Sequence, residues 1–109
     1  MKVAIVGSRK VNISDIGKYI SGAEEIVSGG AAGVDCCAAE YARKNGIKLT
    51  EFLPQYERYG RAAPVVRNKE IVDYSDKIIA FWNGSSRGTL SVIKYAQKTG
   101  TPCDIIICE

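Results

Sequence analysis

The sequence predicts a Rossmann-like α/β domain, a three-layer sandwich with a five-stranded parallel sheet of order 3-2-1-4-5. Two observations predict this fold. Short β-rich runs alternate with helical patterns along the 109 residues, an arrangement typical of a parallel sheet with right-handed crossovers and helices on both faces. The connections are short and the length suits one unit, so residues 1–109 are expected to form a single domain.

Five strands are expected from apolar runs that turn residues separate. The first run leads into Gly7 without a polar interruption after Lys2, which is typical of a strand buried on both faces. The strands are predicted at Lys2–Val6, Glu25–Ser28, Ile47–Phe52, Lys77–Trp82 and Pro102–Cys108.

Four helices are expected between these strands, at Ile13–Ile20, Val34–Asn45, Ala62–Tyr74 and Thr89–Lys98. In the first of them, isoleucines three and four residues apart form one apolar stripe, and Asn12 or Ser14 is the expected cap. Gly46 and Gly100 stand where glycine caps usually end a helix. The segments Pro54–Gly60 and Asn83–Gly88 are predicted to be loops.

Charge and hydropathy exclude several classes of protein. The net charge is +3, from 15 basic and 12 acidic residues, which is too mild by itself to indicate nucleic acid. No apolar run approaches the roughly 20 residues that span a bilayer. The apolar start, Met1–Gly7, is too short for a signal sequence, so the cytoplasm is the expected compartment and no membrane partner is expected.

The four cysteines are expected to be reduced, small apolar residues of the interior. Cys36 and Cys37 are adjacent, whereas Cys103 and Cys108 lie near the end of the chain. The sequence has no CxxC spacing and no histidine. It therefore predicts no metal site.

Three segments rich in glycine or small residues follow strands at the carboxyl edge of the predicted sheet: residues 7–9, 28–35 and 83–89. This edge contains the switch between the first and fourth strands, where open α/β sheets bind ligands. Glycine permits close approach of a ligand, and each segment opens onto a helix whose first amides attract anions. One such loop is typical of a plain turn, but three that converge predict a phosphate-binding site.

The residues predicted to contact a ligand lie in these loops and in the helix after the third strand. They are Gly7, Ser8, Arg9, Ser28, Gly29, Gly30, Ala31, Gly33, Asp35, Arg67, Asn68, Asn83, Gly84, Ser85, Gly88 and Thr89. Neither GxGxxG after the first strand nor GxxxxGK[ST] is present. The sequence therefore excludes a conventional dinucleotide dehydrogenase or P-loop NTPase, and it predicts no cofactor.

Basic and aromatic side chains are expected near the same edge. The arginines are Arg9, Arg58, Arg61, Arg67 and Arg87, and their planar forks suit phosphate. Arg58 and Arg61 are equally typical of a solvated surface. Tyr56, Tyr59 and Trp82 are candidates for stacking on a base, although Trp82 equally suits packing beneath a helix.

Asp35 has two interpretations that the sequence leaves open. Its carboxylate could bond a ribose hydroxyl or the base of a ligand, or it could cap the start of its own helix.

Several motifs together resemble the SLOG superfamily, and most closely its small stand-alone branch of YspA- and YpsA-related proteins. They are GSR at residues 7–9, SGGAAGVD at 28–35, Arg67-Asn68, and FWNGSSRGT at 81–89. The resemblance covers nearly the whole chain. It implies a Rossmann-like fold that binds nucleotides, nucleotide derivatives or single-stranded DNA.

The resemblance extends to the LOG phosphoribohydrolases, whose PGGxGTxxE loop supplies a catalytic glutamate. Gly88-Thr89 matches the GT of that loop, and Arg67 resembles the catalytic arginine of a neighbouring helix. The residues that follow are Leu90, Ser91 and Val92, so the glutamate is missing. Arg67 and Asp35 remain the candidate catalytic residues, and whether the protein is an enzyme stays open.

The leading hypothesis is a domain that binds or senses a small nucleotide or nucleotide-derived ligand. One alternative is a hydrolase that processes nucleotides. A second is a single-stranded DNA-binding protein, implied by the resemblance of the 28–35 loop and Arg67-Asn68 to the DprA/Smf proteins. Relatives of this kind often dimerise through helices beside the sheet, so a homodimer is also expected.

Overall fold

The computed structural model describes residues 1–7, 17–20, 22–29 and 34–107, without the side chains of residues 34–36. Its five strands form one parallel sheet of order β3-β2-β1-β4-β5, which confirms the predicted order. The strands are β1 (Lys2–Gly7), β2 (Glu25–Ser28), β3 (Lys48–Glu51), β4 (Lys77–Trp82) and β5 (Cys103–Ile107).

Helices cover both faces of the sheet, as predicted. They are α1 (Gly17–Ile20), α2 (Val34–Lys44), α3 (Tyr56–Tyr59), α4 (Ala63–Tyr74) and α5 (Arg87–Thr99), with a 3-10 turn at Gly60–Ala62. The beginning of the first predicted helix, with both of its proposed caps, lies outside the described residues. Gly100 ends α5 in the left-handed conformation, with a φ of 77°, as its position in the sequence predicted.

The predicted loop at Pro54–Gly60 is wrong, because this segment contains α3 and enters the 3-10 turn. The carbonyl of Gln55 accepts hydrogen bonds from the amides of Arg58 and Tyr59, at 3.1 and 3.0 Å. Helix α3 buries none of its residues, so its sequence carries no apolar stripe. Without that stripe the hydrophobic period could not reveal a helix.

The start of α5 was also placed too late, at Thr89, whereas the helix begins at Arg87. The backbone of Ser86 is extended, and its Oγ accepts a hydrogen bond from the amide of Thr89 at 3.4 Å, which is the geometry of an N-cap. Gly88 suggested a loop, but it belongs to the first helical turn.

The core consists of two layers, one on each face of the sheet. The layer beneath α1 and α2 contains Ile5, Ile26 and Phe81, and the layer beneath α4 and α5 contains Ala4 and Val27. Neighbouring residues of β1 therefore enter opposite layers, and both Ala4 and Ile5 are fully buried. This burial on both faces explains the uninterrupted apolar run of the first strand.

The prediction of buried cysteines is only partly right. Cys37 and Cys103 are half-buried, and they pack at the margins of the two core layers. Burial raises the pKa of the Cys103 thiol. Cys108 and the side chain of Cys36 lie outside the described part of the chain.

In the described ranges, no three side chains of the types that bind metals gather into a possible ion site. Among the same residues, no helix has the length and apolar character needed to cross a bilayer.

A polar cluster joins four elements at the end of the sheet opposite the glycine-rich loops. The Glu25 carboxylate accepts hydrogen bonds from the hydroxyls of Tyr74 at 2.5 Å and Thr50 at 2.7 Å. Lys48 forms an ion pair with it at 3.6 Å, and Lys2 lies 4.2 Å from the centre of the Tyr74 ring. The hydrogen bond from Tyr74, then that from Thr50, lowers the pKa of Glu25.

This lowered pKa predicts a loss of stability in acid. The cluster stabilises the fold above the pKa of Glu25 in the unfolded chain, and this contribution disappears as the pH falls through the lower folded-state pKa. We expect the melting temperature to fall on acidification below about pH 4, and the fall to be smaller in Glu25→Gln. Glu24→Gln is the control, because Glu24 is exposed and its ion pair with the amino terminus lies at the surface. Identical pH profiles for Glu25→Gln and wild type would contradict this account.

Candidate functional site

Arg67 lies on α4 at the carboxyl edge and connects this helix to the ends of β2 and β3. Its Nη1 donates to the carbonyl of Gly29 at 2.9 Å and, more weakly, to that of Phe52 at 3.5 Å. Its Nε donates to Asn68 Oδ1 at 2.9 Å. Because Gly29 follows β2 and Phe52 follows β3, the guanidinium holds both loops against α4. Among the described residues, its Nη2 has no hydrogen-bond partner.

Asn68 extends this connection to α5. It is only 8% exposed, and its Nδ2 donates to the carbonyl of Gly88 at 3.5 Å. A buried side-chain amide needs a hydrogen-bond partner for both its oxygen and its nitrogen. The Asn68 oxygen accepts a hydrogen bond from Arg67, and its nitrogen donates to the first turn of α5. Asn68 therefore sets the distance between the guanidinium and that helix end.

The first turn of α5 presents backbone donors at the same edge. Ser86 Oγ accepts a hydrogen bond from the amide of Thr89. The amides of Arg87 and Gly88 have no hydrogen-bond partner in the part of the chain that the structure describes. A Cβ placed on Gly88 would meet no atom of the described residues within 4 Å, so these residues leave space beside the two amides. Unpaired amides and the positive end of the helix dipole together favour an anion.

The loop before α5 is held by its own side chains. Asn83 Oδ1 accepts hydrogen bonds from the backbone amides of Ser85 and Ser86, at 3.0 and 2.9 Å. Gly84 has a φ of +86°, a backbone conformation that favours glycine. Asn83 thus shapes the turn that places Ser86 at the helix start.

Trp82 anchors this loop from beneath. Its Nε1 donates to the carbonyl of Ser86 at 3.0 Å, and its ring packs against the core layer under α4 and α5. Of the two interpretations of Trp82, packing against the core is therefore confirmed. Trp82 is the only tryptophan of the chain, so its fluorescence reports on the start of α5.

A second group of side chains, the aromatic-basic surface, lies on α3 and the 3-10 turn that lead into α4. It consists of Tyr56, Arg58, Tyr59 and Arg61. Tyr56 is 57% exposed, and Arg58 lies over the Tyr59 ring at 5.2 Å from its centre. Phe52, whose carbonyl contacts Arg67, lies in the connection that leads to α3. The aromatic-basic surface is therefore continuous along the chain with the segment that contacts Arg67.

The remaining predicted site residues divide into three groups. Gly7 ends β1 and pairs with Phe81 of β4, at the switch of the sheet, and Ser28 ends β2 with its side chain buried. Asp35 lies in the first turn of α2, and its side chain is not described. Ser8, Arg9, Gly30, Ala31 and Gly33 lie outside the described residues.

Sequence reasoning missed two participants, Ser86 and Phe52. A serine three residues before Thr89 is a recognisable N-cap signal, so Ser86 was detectable. Phe52 contributes only its carbonyl oxygen. Every residue type has a backbone carbonyl, so no pattern of side chains could have identified this contact.

No model of a known protein family matches this chain, and no curated protein matches it. Two solved structures are similar to it. One is DNA processing protein A (DprA) from Streptococcus pneumoniae, with a TM-score of 0.82 and 24% sequence identity. The other is DNA processing protein A from Helicobacter pylori, with a TM-score of 0.75 and 24% identity, described for its single-stranded DNA binding mode.

The likeness covers 99% and 100% of this chain, respectively. The chain spans 50% of the Streptococcus protein and 66% of the Helicobacter protein. The five parallel strands in the order β3-β2-β1-β4-β5, with helices on both faces, are thus the fold that this chain shares with the two DprA structures.

Proposed function

We propose that the carboxyl edge of the sheet binds the phosphate groups of single-stranded DNA. The observation that carries this proposal is the connection from Arg67 through Asn68 to Gly88. It brings a guanidinium whose Nη2 has no partner among the described residues to the same edge as the amides of Arg87 and Gly88, which are likewise unpaired within those residues. A phosphate has the charge and the acceptor oxygens that both kinds of donor require.

The aromatic-basic surface favours a nucleic-acid strand over a single phosphate. Proteins that bind single strands combine cationic contacts to the backbone with aromatic rings on which bases stack. Tyr56 offers an exposed ring, and Arg58 and Arg61 offer exposed cations. The Helicobacter protein that shares the fold is described as binding single-stranded DNA, which supports the same ligand class here.

A small nucleotide is the second candidate ligand, and the open space beside Gly88 favours it. A mononucleotide phosphate would use the same amides without needing Tyr56. The membership of the SLOG superfamily that the motifs imply supports either ligand. We propose no hydrolytic reaction, since the LOG glutamate is missing and, in the described residues, no carboxylate contacts Arg67.

Fluorescence anisotropy with labelled oligo(dT) is expected to show binding that weakens as salt rises. For single strands the slope of log K against log [salt] is about −0.7 per neutralised phosphate, so contact with several phosphates gives a slope steeper than about −1.5. Unlabelled mononucleotides serve as competitors, and Trp82 fluorescence follows the start of α5. Absence of an anisotropy change at low salt, together with a mononucleotide-dependent Trp82 signal, would favour the small ligand instead. Absence of both signals would contradict a phosphate site.

A further inference from the structure

The two edges of the sheet carry different kinds of sequence. The β3 edge has charged side chains at both ends, Lys48 and Glu51, which discourage pairing with another strand. The β5 edge instead has three consecutive isoleucines, of which Ile105 is 42% and Ile107 is 65% exposed. An edge strand with exposed apolar side chains is a template for strand addition.

The register of β5 shows which of its backbone groups face outward. The amide of Ile78 donates to the carbonyl of Pro102, and Ile78 pairs with Cys103. In a parallel ladder, hydrogen bonds to the neighbour come from alternate residues, so the even-numbered residues of β5 bond β4. The amides and carbonyls of Cys103, Ile105 and Ile107 therefore face the open edge.

We propose that this edge pairs with the β5 strand of a second copy of the chain, antiparallel across a two-fold axis at Ile105. In that register Ile105 exchanges both backbone hydrogen bonds with its own mate. Cys103 of each copy pairs with Ile107 of the other. Every outward backbone group of the strand then has a partner, and the two sheets join into one.

The charges of the edge are compatible with this self-pairing. Asp104 is the one charged residue of β5, and Lys77 of the neighbouring strand neutralises it at 2.9 Å. Asp104 would lie opposite Ile106 of the second copy, so the two aspartates do not face each other directly. The exposed side chains that meet across the axis are isoleucines, which lose apolar surface to water on pairing. The motif resemblance implies dimerisation through helices, whereas the proposed contact lies at the sheet edge.

Sedimentation velocity over a concentration series tests the proposal. Wild type is expected to dimerise, and Ile105→Lys, which sets two ammonium groups face to face across the axis, is expected to raise the dimer dissociation constant at least about tenfold. Val65→Lys is the matched control, because Val65 is 46% exposed and lies on α4, so this variant should dimerise like wild type.

A backbone variant gives a second, independent measurement. Ile105→Pro removes an outward amide without removing a hydrogen bond to β4, and proline is tolerated in edge strands at such positions. It is expected to be monomeric with a wild-type circular dichroism spectrum. A wild type that stays monomeric at high concentration, or dimers that persist in Ile105→Lys, would overturn the proposal.

Discussion

Replacing Gly88 with aspartate is expected to weaken phosphate binding at least about fivefold while leaving the fold as stable as before, or slightly more stable. The new Cβ meets no atom of the described part of the chain within 4 Å, so these residues accommodate the side chain without rearrangement. The first turn of α5 has no acidic residue, and a carboxylate there interacts favourably with the helix dipole by about 0.3 to 1 kcal/mol. The same carboxylate repels a phosphate that approaches the amides of Arg87 and Gly88.

The size of this repulsion follows from Coulomb's law. Two like charges about 4 Å apart cost about 1 kcal/mol in water and about 4 kcal/mol near a protein surface, so affinity should fall at least about fivefold. Gly88→Asn is the matched control, since it has the same size and no charge. Equal affinities for the two variants would show that the start of α5 does not contact the ligand. The melting temperature of each variant separates lost binding from lost stability.

Removing the charge of Arg67 is expected to reduce both DNA affinity and stability. In Arg67→Gln the buried carbonyl of Gly29 loses a charged donor, which costs about 1 to 3 kcal/mol of unfolding free energy. If Arg67 neutralises one phosphate, the slope of log K against log [salt] should become shallower by about 0.7. Arg67→Lys keeps the charge but loses the planar fork, so the slope should persist while affinity falls.

The control for this charge removal is Lys69→Gln. Lys69 lies on the same helix, α4, but it is exposed and lies over the ring of Tyr95. Loss of the Lys69 charge should leave the slope of log K against log [salt] the same as in wild type. A slope for Arg67→Gln equal to that of wild type would show that Arg67 organises the loops without contacting phosphate.

The sequence was sufficient to predict the architecture, because burial leaves a direct trace in residue type. A strand buried on both faces needs an uninterrupted apolar run, and β1 has one up to Gly7. Gly46 and Gly100 indicated where α2 and α5 end, to within about two residues. Helix α3 has no such trace, since it packs no side chain into the core.

The sequence also indicated the carboxyl edge as the candidate site, because glycine-rich turns follow parallel strands at that edge. The contacts within the site needed the tertiary structure. Residues 29, 52, 67 and 88 are far apart in the chain, and three of the four contribute backbone oxygens, which every residue type carries. These backbone oxygens come within reach of the Arg67 guanidinium and the Asn68 side-chain amide only because β1 pairs with β2 and β4 and because α4 packs against α5.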